Sequence, residues 1–114
     1  VAECPLLFRS LAVMARGNLR SFQPQHLSTF SWAFATLGVA TPEFLGEVVV
    51  EARSRFRAFA PQGLSILAWA VAKVRIDADG FLHAVAADAT AAPHRFKAQE
   101  LSNIAWAVGC SGAS

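Results

Sequence analysis

Residues 22–38 read FQPQHLSTFSWAFATLG, residues 59–75 read FAPQGLSILAWAVAKVR, and residues 96–110 read FKAQELSNIAWAVGC. The three tryptophans, Trp32, Trp69 and Trp106, therefore stand 37 residues apart. The same spacing relates Phe22, Phe59 and Phe96; Gln25, Gln62 and Gln99; Leu27, Leu64 and Leu101; Ser28, Ser65 and Ser102; and Ala33, Ala70 and Ala107. Six identities recur three times within a window of twelve residues. A fixed period of about 20–50 residues marks a solenoid, a propeller or another array of like units.

Each copy predicts a helix. Pro24 suits a first helical turn, where its missing N–H has no partner to lose. Gly38 suits the residue just past the end, where a left-handed backbone is common. Leu27, Phe30, Ser31, Phe34 and Leu37 share one face at three- and four-residue spacing. The second copy starts at Pro61 and ends near Arg75; the third runs from about Ala98 to Gly109, with Ala98 in place of the proline. We term these the first helices. Second helices lie between them. Thr41-Pro42-Glu43 reads as a cap, a first-turn proline and an early acid. Phe44, Leu45, Val48, Val49 and Ala52 follow as an apolar stripe. One period on stand Phe81, Leu82, Val85, Ala86 and Ala89, opened by Asp77 or Asp79. One period back stand Leu7, Phe8, Leu11, Ala12 and Ala15, preceded by Pro5.

The expectation is an all-α chain of six helices: an α-solenoid of about three 37-residue hairpins. Its units would span residues 1–21 in part, 22–58, 59–95, and 96–114 in part, all within one repeat domain. Short linkers favour antiparallel neighbours. The longest, from about Thr90 to Phe96, holds Pro93 and His94.

The 114 residues carry a net charge of +2, with 54% hydrophobic and 16% charged residues. That is apolar for a free-standing domain. Terminal repeats usually carry a polar outer face, and Trp106-Ala107-Val108-Gly109-Cys110 shows none. The chain starts without methionine and stops soon after its third tryptophan, so a piece of a longer array is expected. The charge-poor stretch from Ser21 to Pro42 is broken by Pro24 and Gly38, which argues against a membrane span of about 20 residues. Cys4 and Cys110 have no metal-ligand spacing and make no secreted disulfide framework. His26, His83 and His94 occupy three different repeat positions without a matching acid and nucleophile. With no glycine-rich phosphate loop and no Cys/His metal spacing, neither an enzyme nor a cofactor or metal is expected.

The quoted strings resemble the octotricopeptide repeats of algal organelle proteins and the related 37-residue heptatricopeptide repeats of apicomplexans and their relatives. The Pro-Gln-x-Leu-Ser…Ala-Trp-Ala core carries the resemblance, which covers nearly the whole chain. It implies a helical-hairpin solenoid imported into a mitochondrion or plastid, usually binding organellar RNA. Some relatives serve as protein subunits of organellar ribosomes or other complexes. Nothing here matches the RAP domain that ends some longer relatives.

On a wheel of about 100° per residue, Gln25, Thr29, Trp32 and Thr36 fall opposite the face of Leu27. The resemblance favours this helix as the one that lines the concave surface. An RNA reader of this kind meets one base per unit with two or three side chains. The varying positions His26, Gly63, Glu100 and Thr29, Ile66, Asn103 would then carry base preference. Ile66 can only pack against a base, and Gly63 can offer no side chain at all. The tryptophans either stack on bases, worth about 1–3 kcal/mol each, or fill the gaps between units, where removing a buried indole costs about 3–5 kcal/mol. The alanine after each one favours packing, with Trp32, Trp69, Trp106, Leu27, Leu64 and Leu101 as the repeat core. Capping or backbone bonding is the expected role of the glutamines. Basic residues gather at the joints before the first helices: Arg16, Arg20, Arg53, Arg55, Arg57, Arg95 and Lys97. Together with Lys73 they are the candidate phosphate ligands. Arg20, Arg57 and His94 coincide in register, as do Arg16 and Arg53, so a stripe along one edge is expected. Two functions fit. One is a single-stranded RNA-binding module. The other is a non-catalytic scaffold subunit of a ribosome or membrane complex, held by protein contacts.

Overall fold

Prolines start the helices where they were expected. The computed structural model describes residues 10–111 apart from residues 12, 16 and 39–41. Pro24 opens α2 (Pro24–Leu37), Pro42 opens α3 (Pro42–Ser54) and Pro61 opens α4 (Pro61–Val74). Asp79 opens α5 (Asp79–Ala91) and Ala98 opens α6 (Ala98–Ser111). An earlier helix, α1, is represented by residues 10, 11 and 13–15. The described residues are all-α, with no strand among them. Pro5, Leu7, Phe8, Ala12, Thr41, Cys4 and the candidate ligand Arg16 lie outside the described residues.

The repeat is as regular in structure as in sequence. The first helices α2, α4 and α6 each contain 14 residues. Each follows a short 3-10 turn: Leu19–Ser21, Phe56–Ala58 and Pro93–Arg95. The stretch from Thr90 to Phe96 is therefore not a plain linker; α5 and the third turn occupy most of it. Phe22, Phe59 and Phe96 are the residues after those turns, one before the helical cap. Leu27, Leu64 and Leu101 sit one turn inside. A pair at these two positions is a hydrophobic staple, which fixes the angle at which the chain enters the helix. All six belong to or pack on one apolar cluster. This explains two of the sequence identities: Phe and Leu recur because every unit needs the same entry angle.

The helix ends also repeat. Gly38 follows α2 with φ 73°, and Arg75 follows α4 with φ 65°, both left-handed. After α4 the Arg75 N–H donates to Ala72 O (3.2 Å) and the Ile76 N–H to Val71 O (3.3 Å). These two bonds make a Schellman motif. Ile76 is half-buried against the core cluster, as that motif's apolar contact requires.

α4 lies between α2 and α6, and these are the most extensive helix contacts in the molecule. The N-terminal turns of α2 and α4 lie side by side: the Ser28 hydroxyl donates to Gly63 O at 3.2 Å. A Cβ on Gly63 would come within 2.9 Å of Ser28 Oγ, so glycine permits this approach. α3 packs on α2 and α4, and α5 on α4 and α6. The predicted stripe of α3 (Phe44, Leu45, Val48, Val49 and Ala52) is wholly buried. On α5, Phe81, Leu82, Val85 and Ala89 are buried, while Ala86 is half-buried. Phe22, Phe30, Phe34 and Phe44 form a chain of ring contacts at 5.2–5.8 Å that ties α2 to α3. At the end of α2, Leu37 is exposed and not part of the core.

Candidate nucleic-acid interface

Two kinds of surface were expected to meet RNA: the outward face of the first helices and the basic joints. On the first helices, Gln25, Thr29, Thr36, Gln62, Lys73, Gln99 and Cys110 are exposed, as the helical wheel requires. Trp32 and Trp106 are 49% and 45% exposed, while Trp69 is half-buried. The indoles project from the side of each helix opposite Leu27. Among the described first helices α4 alone has another on either side, and its Trp69 is the most covered, while Trp106 lines a groove with Lys73, Arg75 and Asp79. Of the remaining core assignments, Leu27 and Leu64 are buried and Leu101 is half-buried.

The proposed base-reading positions divide. His26 and Thr29 are exposed, though the Thr29 hydroxyl donates to Gln25 O at 2.9 Å. Ile66 is half-buried in a groove of about 520 Å³ between the N-terminal halves of α2 and α4, beside Gln25, Thr29 and Gln62. Asn103 is half-buried and its Oδ1 accepts from Gln99 Nε2 at 3.2 Å. That bond also shows Gln99 pairing with a side chain instead of capping backbone. Glu100 is buried, and its Oε1 accepts the Lys97 N–H at 2.9 Å. This is the returning half of a capping box. Glu100 is therefore turned onto its own helix end and away from any ligand. The sequence signal was partial, because Lys97 stands where the full box has Ser or Thr.

The joint arginines do not form one uniform stripe. Arg55 donates from Nη1 to Phe22 O at 2.9 Å and from Nη2 to Leu19 O at 3.2 Å. Its Nε lies 2.9 Å from Glu51 Oε2 in an ion pair, at an angle outside hydrogen-bond geometry. Arg55 thus latches one unit's joint to the joint before it, and its guanidinium is committed. Arg53 is exposed and lays its guanidinium against Gly80, where any Cβ would collide with it. Arg57 and Arg95 converge on Asp88: Arg57 Nη1 is 3.3 Å from Oδ1 and Arg95 Nη1 is 3.7 Å from Oδ2. The Asp88 side chain is only 12% exposed, while that of Arg57 is 85% exposed and still faces solvent. Arg20 and Lys97 are exposed. Asp88 meets these joint arginines because the last turn of α5 lies beside the preceding joint.

Lys73 belongs elsewhere. It sits near the C-terminal end of α4, about 20 Å along the helix from the joint at about 1.5 Å per residue. There it lines a groove of about 730 Å³ with Arg75, Asp77, Asp79, Trp106 and Cys110. Arg75 and Asp88 are residues that the sequence reading did not single out. Arg75 occupies the position of Gly38, and an arginine where the repeat wants a left-handed residue was the available signal. Among the described residues no group of three His, Cys, Asp or Glu side chains stands together, and no helix is long and apolar enough to cross a membrane. No protein-family model matches the chain, and neither a curated protein nor a solved structure shows significant similarity to it.

Proposed function

We propose that this chain is a single-stranded RNA-binding repeat module of a mitochondrion or plastid, built from octotricopeptide/heptatricopeptide-type hairpins. The observation that carries the reading is the solvent face of the first helices. It presents an indole at the same place in each unit, half-exposed at Trp32 and Trp106, in line with exposed glutamines. Bases stack on such rings without regard to sequence. Arg20, Arg57, Arg95 and Lys97 supply cations along the joint edge, and Lys73 and Arg75 do so beside Trp106. No hydrolytic or group-transfer chemistry is part of this reading, and neither a metal nor another cofactor is assigned to it.

The test is binding to single-stranded RNA followed by tryptophan quenching over a salt series. Stacking predicts quenching, and phosphate contacts predict affinity that falls steeply with salt. The Trp32→Ala/Trp106→Ala double variant keeps the fold and loses most of the affinity. Undiminished binding by that variant refutes the indole platform.

A second reading is favoured by one specific observation. Val13 and Val50, one repeat apart on the second helices, are 69% and 70% exposed. Exposed valines at the same position of two successive second helices suit a scaffold subunit held by other proteins of an organellar complex, such as a ribosome. Absence of RNA binding even at low salt leaves that reading in place.

A further inference from the structure

The groove of about 730 Å³ beside Trp106 differs from the rest of the first-helix face in its charge. Lys73 and Arg75 line it from the end of α4, Asp77 from the loop that follows, and Asp79 from the first turn of α5. One repeat earlier the same four positions read Thr36, Gly38, Ala40 and Pro42, without a charge. The indole and its apolar neighbours do repeat: Trp106, Ile76 and Leu82 correspond to Trp69, Val39 and Leu45. The charges are therefore an addition to one step of a repeated surface. That step lies between described helices, and Lys73 is exposed although α4 has a first helix on either side.

The protein itself leaves these charges unpaired. All four residues are exposed, and among the described residues none of their side chains has an ion pair or a hydrogen bond. Two cations and two carboxylates thus share one groove without neutralising each other. Arg75 also holds a left-handed backbone that glycine adopts at less cost, and residues kept in such conformations cluster where ligands are held. Asp79 has a structural role, since an acid in the first turn of α5 meets the positive end of the helix dipole. Asp77 has no such role: it precedes Ala78, the N-cap residue, and no side chain bonds to that cap.

A ligand for this groove must bring an anion for the cations, N–H donors for a carboxylate and a flat face for the indole. A nucleotide of a single strand brings all three. An ionised carboxylate only accepts, and its two oxygens match two neighbouring N–H groups. Guanine alone presents two such donors, N1–H and the N2 amine, side by side on its Watson–Crick edge. Adenine and cytosine set an acceptor nitrogen beside their amine, and uracil has one N–H between two carbonyls. We propose that this groove takes a guanine of the bound strand, stacked on Trp106, with its Watson–Crick edge on the Asp77 carboxylate and its phosphate on Lys73 and Arg75. The assignment rests on the RNA-binding reading and adds a base preference to it.

The experiment is fluorescence anisotropy of the 114-residue chain with a labelled short oligouridine and with the same strand carrying one guanine, inosine or adenine at its centre. Inosine keeps N1–H and lacks the N2 amine. The guanine strand is expected to bind about tenfold tighter than the other three, the discrimination of one bidentate pair. Asp77→Asn changes an exposed loop residue, so it is expected to keep the helical circular dichroism and to bring the guanine strand level with the rest. Lys73→Gln is expected to weaken all four strands alike. Equal binding of the guanine and uracil strands by the parent overturns the proposal and leaves the RNA-binding reading standing. A guanine preference that survives Asp77→Asn, or is lost with Asp79→Asn instead, overturns the role of Asp77. Guanosine monophosphate that competes as well as the guanine strand overturns the strand as occupant in favour of a free nucleotide. No binding of any strand at low salt overturns both readings together.

Discussion

Replacing Arg75 by glycine should stabilise the protein. Arg75 is the single non-glycine residue with positive φ among the described residues, at φ 65° and ψ 41°. It cannot leave that region cheaply. The Ile76 N–H is committed to Val71 O, and the Ile76 side chain is set against the core. For an L-residue the left-handed conformation costs about 1–2 kcal/mol. Glycine removes that cost but loses about 0.5–1 kcal/mol more backbone entropy on folding. The difference is a gain of about 0.5–1 kcal/mol. For a chain of this size, that raises the thermal midpoint by about 2–6 °C. Gly38 provides the control. It holds φ 73°, and a Cβ placed there meets nothing within 4 Å. Gly38→Ala therefore tests the backbone alone and should lose a similar amount. Thermal and urea unfolding of both variants and their combination decide the matter. The two changes should nearly cancel, since they act in opposite directions on two separate helix ends whose hydrogen-bond partners differ. An Arg75→Gly variant that melts at or below the parent temperature would falsify this account and show that the arginine side chain holds native contacts.

Three other outcomes are expected. Arg55→Ala should destabilise by about 1.5–3 kcal/mol, the range for bonds to a charged group, because the carbonyls of Leu19 and Phe22 lose their donor; chemical denaturation measures it, and a change below about 0.5 kcal/mol refutes the latch. Asp88→Asn should strengthen RNA binding and steepen the salt dependence by as much as about 1.4 log units per log unit of salt, two cations at about 0.7 each on a single strand; an unchanged slope means Arg57 and Arg95 do not meet phosphate. Trp69→Ala should cost more stability than Trp32→Ala or Trp106→Ala, since among the described residues only Trp69 has a first helix on either side; equal losses in thermal melts would show that burial between units is not what differs among them.

The fold was readable because its signals are local. Pro24 and Pro61 mark helix starts through the missing N–H, Gly38 marks an end through φ, and the α3 stripe has helical periodicity. Each is settled by the residue and a few chain neighbours. The 3-10 joints were not readable in this way. They arise where the chain must turn from a second helix into a stapled entry, and their residues, Leu19-Arg20-Ser21 and Phe56-Arg57-Ala58, share little beyond one arginine. The site was less legible still. The wheel gave the direction of each indole, but exposure depends on how many neighbours a helix has. Asp88 meets Arg57 across 31 residues of chain, and no local pattern announces that meeting. The same holds for Arg55, which reaches 33 and 36 residues back to its two carbonyls.

Identical repeat positions also take different roles according to what stands across the interface. Ser28 faces Gly63, and its hydroxyl crosses to the neighbouring helix. Ser65 stands at the same position in the next unit, but α6 brings Glu100 where α4 brought a glycine. The Ser65 hydroxyl donates to Gln62 O on its own helix instead, at 2.8 Å. The buried Glu100 side chain closes with Lys97 N. The glycine thus leaves an open groove beside Ile66, and at the equivalent place in the next interface a capping carboxylate is buried. A strand of RNA lying across the first helices would meet two unlike steps, not a uniform ladder. The nearer step has apolar Ile66 with Gln25, Thr29 and Gln62 at its rim. The farther one opens instead at the other helix end, where Lys73, Arg75 and Trp106 gather. Base preference, where it exists, should therefore differ between neighbouring nucleotides, and selection of RNA ligands from a random pool should return unequal information at adjacent positions. A flat profile at every position means the strand is held through its phosphates and ring stacking alone.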